Sequence, residues 1–429
     1  MKESRYNFFY KRENDYVVYN SLTNSLAELS NEEFDSLKHL DLSQEEISNF
    51  KYGGYILDDD LDELDFIKES LLKSRYGNRS LGLTIAPTLD CNFACVYCYE
   101  KEHSDTFYMD EKTIENVISF VANKAKNSDS IDVSWYGGEP LLAYKTIDRL
   151  SEAFIKIAES ENIPYRAYII TNGYLLNEKI AKKFSSWKIE GMQITIDGDR
   201  DSHNKKRFLR NGSPTYDKIL INLKENYDYL VNLSLRINLD QNNIGSESSI
   251  INYIESFDKD RKIRAYISRV RNENDTYNDE VCIGQGDFEK YKMQFYKSKG
   301  VDFVEKLYPY TIRNFCTADT TNSYVINYNG DLYKCWSDIG IEEKKIARLE
   351  ENKFIESNYK NYYDYLLYDP TEDEECRECK VLPICMGGCP YARKNSGKEC
   401  STYKDNLEEI IMLVAKNKEK ENNISNNAK

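Results

Sequence analysis

The chain has 429 residues, enough for two or three domains with real hydrophobic cores. Its formal charge is −15 and no block of Lys or Arg forms a phosphate-tracking stripe, so no nucleic-acid partner and no membrane partner is expected. Met1–Tyr6 lacks the apolar run of a signal peptide and nothing later approaches ~18 apolar residues, so the expected location is cytoplasmic; there, eleven cysteines point to metal or catalysis rather than disulfides.

In chain order, Tyr6–Tyr10, Tyr16–Tyr19 and Leu26–Leu29 predict short strands. Ser30 with Glu33, and Ser43 with Glu46, are capping-box pairs that open two helices, and a third carries Leu64, Ile67 and Leu71 on one face. Residues 1–80 thus read as a small winged-helix-like module. Such a module offers a strand edge and a helix groove to which a peptide could add, and a plain structural cap is the alternative. Over residues 81–270, β-branched runs alternate with amphipathic helical segments, the pattern of a parallel α/β sheet or barrel. Six strands are predicted: Leu83–Thr88, Ile131–Trp135, Ala167–Thr171, Met192–Ile196, Leu233–Asn238 and Ile263–Ser268. Ile114, Val117, Ile118 and Val121 give the first intervening helix an apolar stripe. Residues 271–310 read as a bridging segment, 311–405 as a cysteine-rich domain, and 406–429 as a charged helix whose end, from Asn417 to Lys429, should fray into disorder.

The motifs fall at predicted strand ends, where βα architectures place their sites. Cys91, Cys95 and Cys98 follow the first strand. Three thiolates from one loop cannot complete a four-coordinate zinc site, whereas an iron-sulfur cluster can keep one iron open for an outside ligand. The second strand ends in Tyr136-Gly137-Gly138-Glu139-Pro140, whose glycines would let backbone approach a ligand closely and whose turn would offer it carbonyls and a carboxylate. Thr171, Asn172 and Gly173 close the third strand, and Asp197-Gly198 with His203 and Arg207 follow the fourth. For these, turn and capping chemistry is the alternative reading. Arg236 and Asn238, two apart on the fifth strand, share one face.

Cys91-x3-Cys95-x2-Cys98, with Tyr97 before the last cysteine, resembles the radical S-adenosylmethionine superfamily, and the Gly137-Gly138-Glu139 turn and the Asp197…Arg207 segment are similar to further elements of it. Cys316-x13-Gly330-x4-Cys335, then Cys376-x2-Cys379-x5-Cys385-x3-Cys389, then Cys400, resembles the SPASM domain of radical enzymes that modify peptides and proteins. The resemblance spans Leu83 to Cys400. It implies a partial (β/α)6 TIM-like barrel with an N-terminal peptide-recognition module and a C-terminal iron-sulfur domain. It also implies three 4Fe-4S clusters: one on Cys91, Cys95 and Cys98, an auxiliary one on Cys316, Cys335 and Cys389, and a second auxiliary one on Cys376, Cys379, Cys385 and Cys400. S-adenosylmethionine would be held by Tyr97, Gly137, Gly138, Glu139, Thr171, Asn172, Asp197 and Arg207. Members with full ligation of the first auxiliary cluster carry another Cys shortly before the Cys316 position, and here Leu307–Phe315 has none. Such an open iron could take a substrate thiolate, unless Cys282 fills the gap.

The implied activity is maturation of a ribosomally made peptide. Its leader would dock on the N-terminal module, a 5′-deoxyadenosyl radical would abstract hydrogen from carbon, and an external donor would supply electrons. A thioether from cysteine sulfur to carbon is the reading that fits an open cluster. Alternatives are carbon–carbon or aromatic cross-linking, formylglycine formation in a sulfatase, and an iron-sulfur electron carrier or scaffold. Sulfatase-maturating relatives carry Asp directly after the Cys of the Gly-x4-Cys element, where this sequence has Trp336; Asp338 is a displaced candidate. No residue is assigned as the catalytic acid or base.

Overall fold

The computed structural model describes residues 1–100, 107–299, 307–350, 353–356 and 358–427. The backbone separates into two compact units. One comprises Met1–Gly77, Gly286–Thr320 and Leu366–Lys429; the other comprises Asn78–Gln285 and Thr321–Tyr365. The Gly330 hairpin joins the central sheet, whereas Cys376, Cys379, Cys385, Cys389 and Cys400 fall in the unit that contains the N-terminal segment.

In the first unit, β1 (Lys2–Glu3) precedes an antiparallel sheet of β2 (Asn7–Lys11), β3 (Asp15–Asn20) and β4 (Leu26–Ser30), with β3 central. Side chains alternate across β3, and both faces are used. Val18 packs with Leu29 against Leu37 of α1 (Asn31–His39) and Phe50 of α2 (Gln44–Gly53). Val17 and Tyr19 pack on the other side against Val381 and Ile384, and against Leu407 and Ile411 of the C-terminal helix. That helix spans Tyr403–Asn427 and so runs through the stretch expected to fray; Lys429 lies outside the described residues. β5 (Ile56–Leu57) pairs with β1, and α3 (Glu63–Tyr76) buries Ile67 and Leu71.

Both predicted capping boxes are present. Ser30 accepts from the Glu33 amide and Ser43 from the Glu46 amide, and each glutamate returns a bond to its cap's backbone N–H. Ser30→Ala should therefore cost about 1 kcal/mol, read as a lower urea midpoint in far-ultraviolet circular dichroism.

The second unit is built on a ten-stranded sheet. β6 (Ser80–Ile85), β7 (Ser130–Trp135), β8 (Tyr165–Thr171), β9 (Ile189–Ile196), β10 (Leu233–Leu239) and β11 (Ile263–Arg269) are parallel and adjacent in chain order. These are the six predicted strands, with β6 starting and ending three residues early. β12 (Ser323–Ile326) lies parallel to β6, and β13 (Asp331–Tyr333), β14 (Ala347–Glu350) and β15 (Lys353–Glu356) continue antiparallel. α4 (Glu111–Ala125) turns Ile114, Val117 and Val121 inward beside α5 (Tyr144–Glu161), as the apolar stripe predicts. Leu233, Leu235 and Ile237 of β10 are fully buried, so Arg236 and Asn238 belong to the opposite face. No helix among the described residues is long and apolar enough to cross a membrane.

Candidate active site

Strand β6 delivers the chain at Ile85 into the cysteine loop. The loop is fastened on two sides: Leu89 N–H donates to Phe107 O (3.1 Å) and Met109 N–H to Pro87 O (2.9 Å). On the other side Ala94 donates to Phe208 O (2.9 Å), Val96 to Lys206 O (3.0 Å) and Arg210 to Asn92 O (3.1 Å), and Arg210 pairs with Asp90. The segment 206–210 thus acts as a short strand for the loop, a role its sequence does not announce. Burial pushes the Cys91 and Cys95 thiols upward and Cys98 to about 12, and the thiols raise one another further. Without a cation they stay protonated at neutral pH; a bound metal would take them as thiolates.

The turn after β7 presses against the same loop. Gly137 has φ +111° and a Cβ there would lie 2.2 Å from Thr88 O; at Gly138 it would lie 2.3 Å from Asp90 O. Glu139 N–H donates to Asp90 O (2.9 Å). The Glu139 carboxylate is fully buried and accepts from Thr171 Oγ1 (2.7 Å), Asn172 N (2.7 Å) and Leu141 N (3.0 Å). It therefore ties β7 to β8 instead of being held out by the turn, because at this depth a carboxylate without hydrogen bonds would be too costly to keep. Thr171 and Asn172 are the other half of that tie, and Asn172 Nδ2 donates to Asn92 Oδ1 (2.8 Å), returning to the cysteine loop.

Tyr97 joins the remaining strand ends. Its hydroxyl donates to the Asp197 carboxylate (2.7 and 2.8 Å) and accepts from Arg207 Nη1 (3.1 Å) and Asn238 Nδ2 (3.2 Å). Burial raises Asp197 to about 6 against the pull of Arg207, Tyr97 and Lys206. Arg236 donates to Asn238 Oδ1 (2.8 Å) and Ser268 Oγ (3.0 Å), extending the polar layer across β10 and β11 as the two-residue spacing implies. His203 is structural: Nδ1 accepts from Asp197 N–H (3.2 Å), and Nε2–H faces Thr215 Oγ1 (3.0 Å), whose own proton goes to Arg207 O. Burial keeps its ring neutral.

Of the downstream cysteines, Cys376, Cys379, Cys385 and Cys400 line one cavity in the first unit. Cys316 and Cys389 belong to that unit, where burial and, less strongly, Cys389 raise the Cys316 thiol, whereas Cys335 follows β13 in the second. Cys282 is raised by burial and by Asp279 and Asp240 and lowered by Arg269. Its electrostatic company is carboxylates and a guanidinium. Asp338 is buried and accepts from Tyr365 OH (2.6 Å).

Residues 85–239, from the end of β6 to the end of β10, match the Radical SAM superfamily. The chain carries a radical SAM domain. A cysteine-type anaerobic sulfatase-maturating enzyme of Clostridium novyi is 24% identical over 78% of this chain and 96% of its own length. The radical SAM cyclopropyl synthase TigE of Paramaledivibacter caminithermalis is 22% identical over 96% of this chain and 94% of its own. The solved structure of native anSMEcpe with bound AdoMet and Cp18Cys peptide shares the fold, with TM-score 0.60 and 20% identity over 82% of this chain and all of the other. With this domain and these relatives the radical SAM chain is an enzyme.

The domain implies a 4Fe-4S cluster and S-adenosylmethionine, and the residues present fit them. Among the described residues no three His, Cys, Asp or Glu side chains converge tightly enough for a single metal ion. The loop instead offers one buried and two half-buried thiols within electrostatic reach of one another, a soft donor set suited to iron and sulfide. Beside them Arg207 Nε and Asn92 Nδ2 are buried donors with no protein acceptor, available to a carboxylate or another oxygen of a bound cofactor.

Proposed function

We propose that this radical SAM enzyme cross-links a ribosomally made peptide, joining a cysteine sulfur to carbon. The single observation that carries the reading is the rigid polar layer of Tyr97, Asp197, Arg207 and Asn238 set beside three clustered thiols, a site that grips a charged cofactor instead of merely holding a cluster. An electron carrier has no use for that layer. The relatives supply the substrate class: one is named for acting on sulfatases, another is a cyclopropyl synthase, and a structural relative is described with a bound peptide. The bound cofactor supplies hydrogen-atom abstraction from carbon.

Cys91, Cys95 and Cys98 hold the reactive cluster, and Arg207 and Asn92 turn donors toward S-adenosylmethionine. Cys376, Cys379, Cys385 and Cys400 hold an auxiliary cluster in the cavity they share. On their spacing Cys316, Cys335 and Cys389 would hold another, and three thiolates would leave room for a substrate sulfur. Forming the S–C bond removes one hydrogen atom from carbon, one proton from the thiol and one electron, for which an auxiliary cluster would be the acceptor. The leader docks on the N-terminal module, and an external donor restores the electrons consumed.

Co-expression with each short open reading frame beside the gene tests this. A peptide that loses two hydrogens per cross-link and whose cysteines no longer alkylate is the expected product. The same loss with alkylatable cysteines would give carbon-based cross-linking. Formylglycine formation is the second reading, favoured by the Clostridium novyi relative, and its product would be an aldehyde that captures a hydrazide.

A further inference from the structure

The chain has three tryptophans, and only one faces out: Trp135 and Trp187 are 0% and 1% exposed, whereas Trp336 is 47% exposed. Trp336 does not lie loose on the surface. Its ring stacks on Tyr136 with centroids 5.7 Å apart and planes at 25°. Both partners are anchored from behind. Tyr136 N–H donates to Ile85 O (2.9 Å) at the end of β6. Trp336 opens a short turn in which Asp338 N–H bonds to Cys335 O (3.2 Å), Asp338 is held by Tyr365, and Ser337 Oγ donates to Glu273 (3.0 Å).

The place of this pair is what gives it meaning. Tyr136 is the residue before Gly137, and its phenol is raised by burial and by the charges of Cys98, Glu273 and Cys335, against Arg236. Gly137 packs against Ala86 and Thr88 in the segment that leads into Cys91, so the stack borders the cysteine loop. Glu273 and Arg236 oppose each other in sign, so the surroundings select neither a cation nor an anion. What remains is a flat, pre-ordered π face beside the site, and such a face rewards an offset ring.

We propose that Trp336, backed by Tyr136, is a specificity-determining wall that receives an aromatic side chain of the substrate next to the residue being modified. The proposal rests on the reading that the substrate is a peptide.

The test uses the reconstituted full chain and the quenching of tryptophan emission by acrylamide, excited at the red edge where phenylalanine does not absorb. Trp336→Phe should remove most of the quenchable emission, since the other two indoles are buried. N-acetylphenylalaninamide should then lower the quenching constant of the unsubstituted enzyme about twofold as it approaches saturation of the face, while N-acetylglycinamide leaves it unchanged. Equal protection by both amides, no protection by either, or quenchable emission that survives Trp336→Phe would overturn the wall. Failure of the peptide reading shows elsewhere, as unchanged peptide masses in co-expression, and does not alter the quenching result.

Discussion

Gly138→Ala is expected to abolish measurable 5′-deoxyadenosine formation while the chain still folds. The added methyl would stand 2.3 Å from Asp90 O, 2.6 Å from Leu89 O and 2.7 Å from Asp90 C, all backbone atoms of the segment that enters Cys91. No side chain can swing aside to relieve the clash. The same segment is bonded to the turn through Glu139 N–H and Asp90 O, so relief must come from moving the cysteine loop away from β7. A displacement near 1 Å at a reacting site costs roughly a hundredfold in rate, and here the cofactor's anchor itself moves. Gly286→Ala is the matching control, because its Cβ would meet nothing within 4 Å. The measurement is 5′-deoxyadenosine by chromatography after anaerobic reduction with S-adenosylmethionine. Equal yields from the two variants would show that the turn does not hold the loop.

Two adjacent glycines announced a close backbone approach, expected toward a ligand, and in the structure what they approach is the backbone of Thr88, Leu89 and Asp90. β-Branched runs placed all six parallel strands, and the two-residue spacing put Arg236 and Asn238 on one face, since strand geometry depends on neighbours in sequence. Ser30 and Ser43 announced their helices because a capping box is local. Long-range partners were not legible. Nothing in the segment 206–210 says that it will pair with the cysteine loop, and nothing in Glu139 says that its carboxylate will be consumed by Thr171 and Asn172. The C-terminal helix differs for the opposite reason: its charged end reads as solvated chain, while Leu407, Ile411 and Ala415 upstream pack on the N-terminal sheet in a helix that continues to Asn427.

The Clostridium novyi relative is a sulfatase-maturating enzyme, and the two residues of this chain that bear on that chemistry are Asp338 and Trp336. Formylglycine chemistry needs a group to accept the substrate proton, and the displaced candidate Asp338 is buried in the turn with its Oδ2 accepting from Tyr365. The position that resembles the family's acid carries an indole with an open face. A neutral indole has no lone pair free to take a proton, so Trp336 itself does not supply the base that formylglycine formation needs.

Arg75→Leu is expected to cost about 3–5 kcal/mol, the scale of removing one partner from a buried ion network. Arg75 is 2% exposed in α3 and faces Asp319, 0% exposed, which Arg393 also approaches (3.4 and 3.5 Å). The guanidinium further donates to Asn314 Oδ1 (3.0 Å), Leu366 O (3.2 Å) and Tyr368 O. Arg393 lies 4.0 Å over the Tyr368 ring and donates to Gly388 O (2.6 Å). One planar fork thus joins α3 to the segments just beyond Cys316 and just before Cys376. Leucine would fill the volume but leave buried carbonyls without donors and Asp319 with a single cation. Lysine keeps the charge and loses the fork, so Arg75→Lys should recover only part of the stability. Lys73→Ala, an exposed neighbour on the same helix, should change little. Denaturant midpoints of the three variants test the order. Because Asp319 follows Cys316 by three residues and Arg393 follows Cys389 by four, the iron retained after reconstitution should fall in the same order as the midpoints.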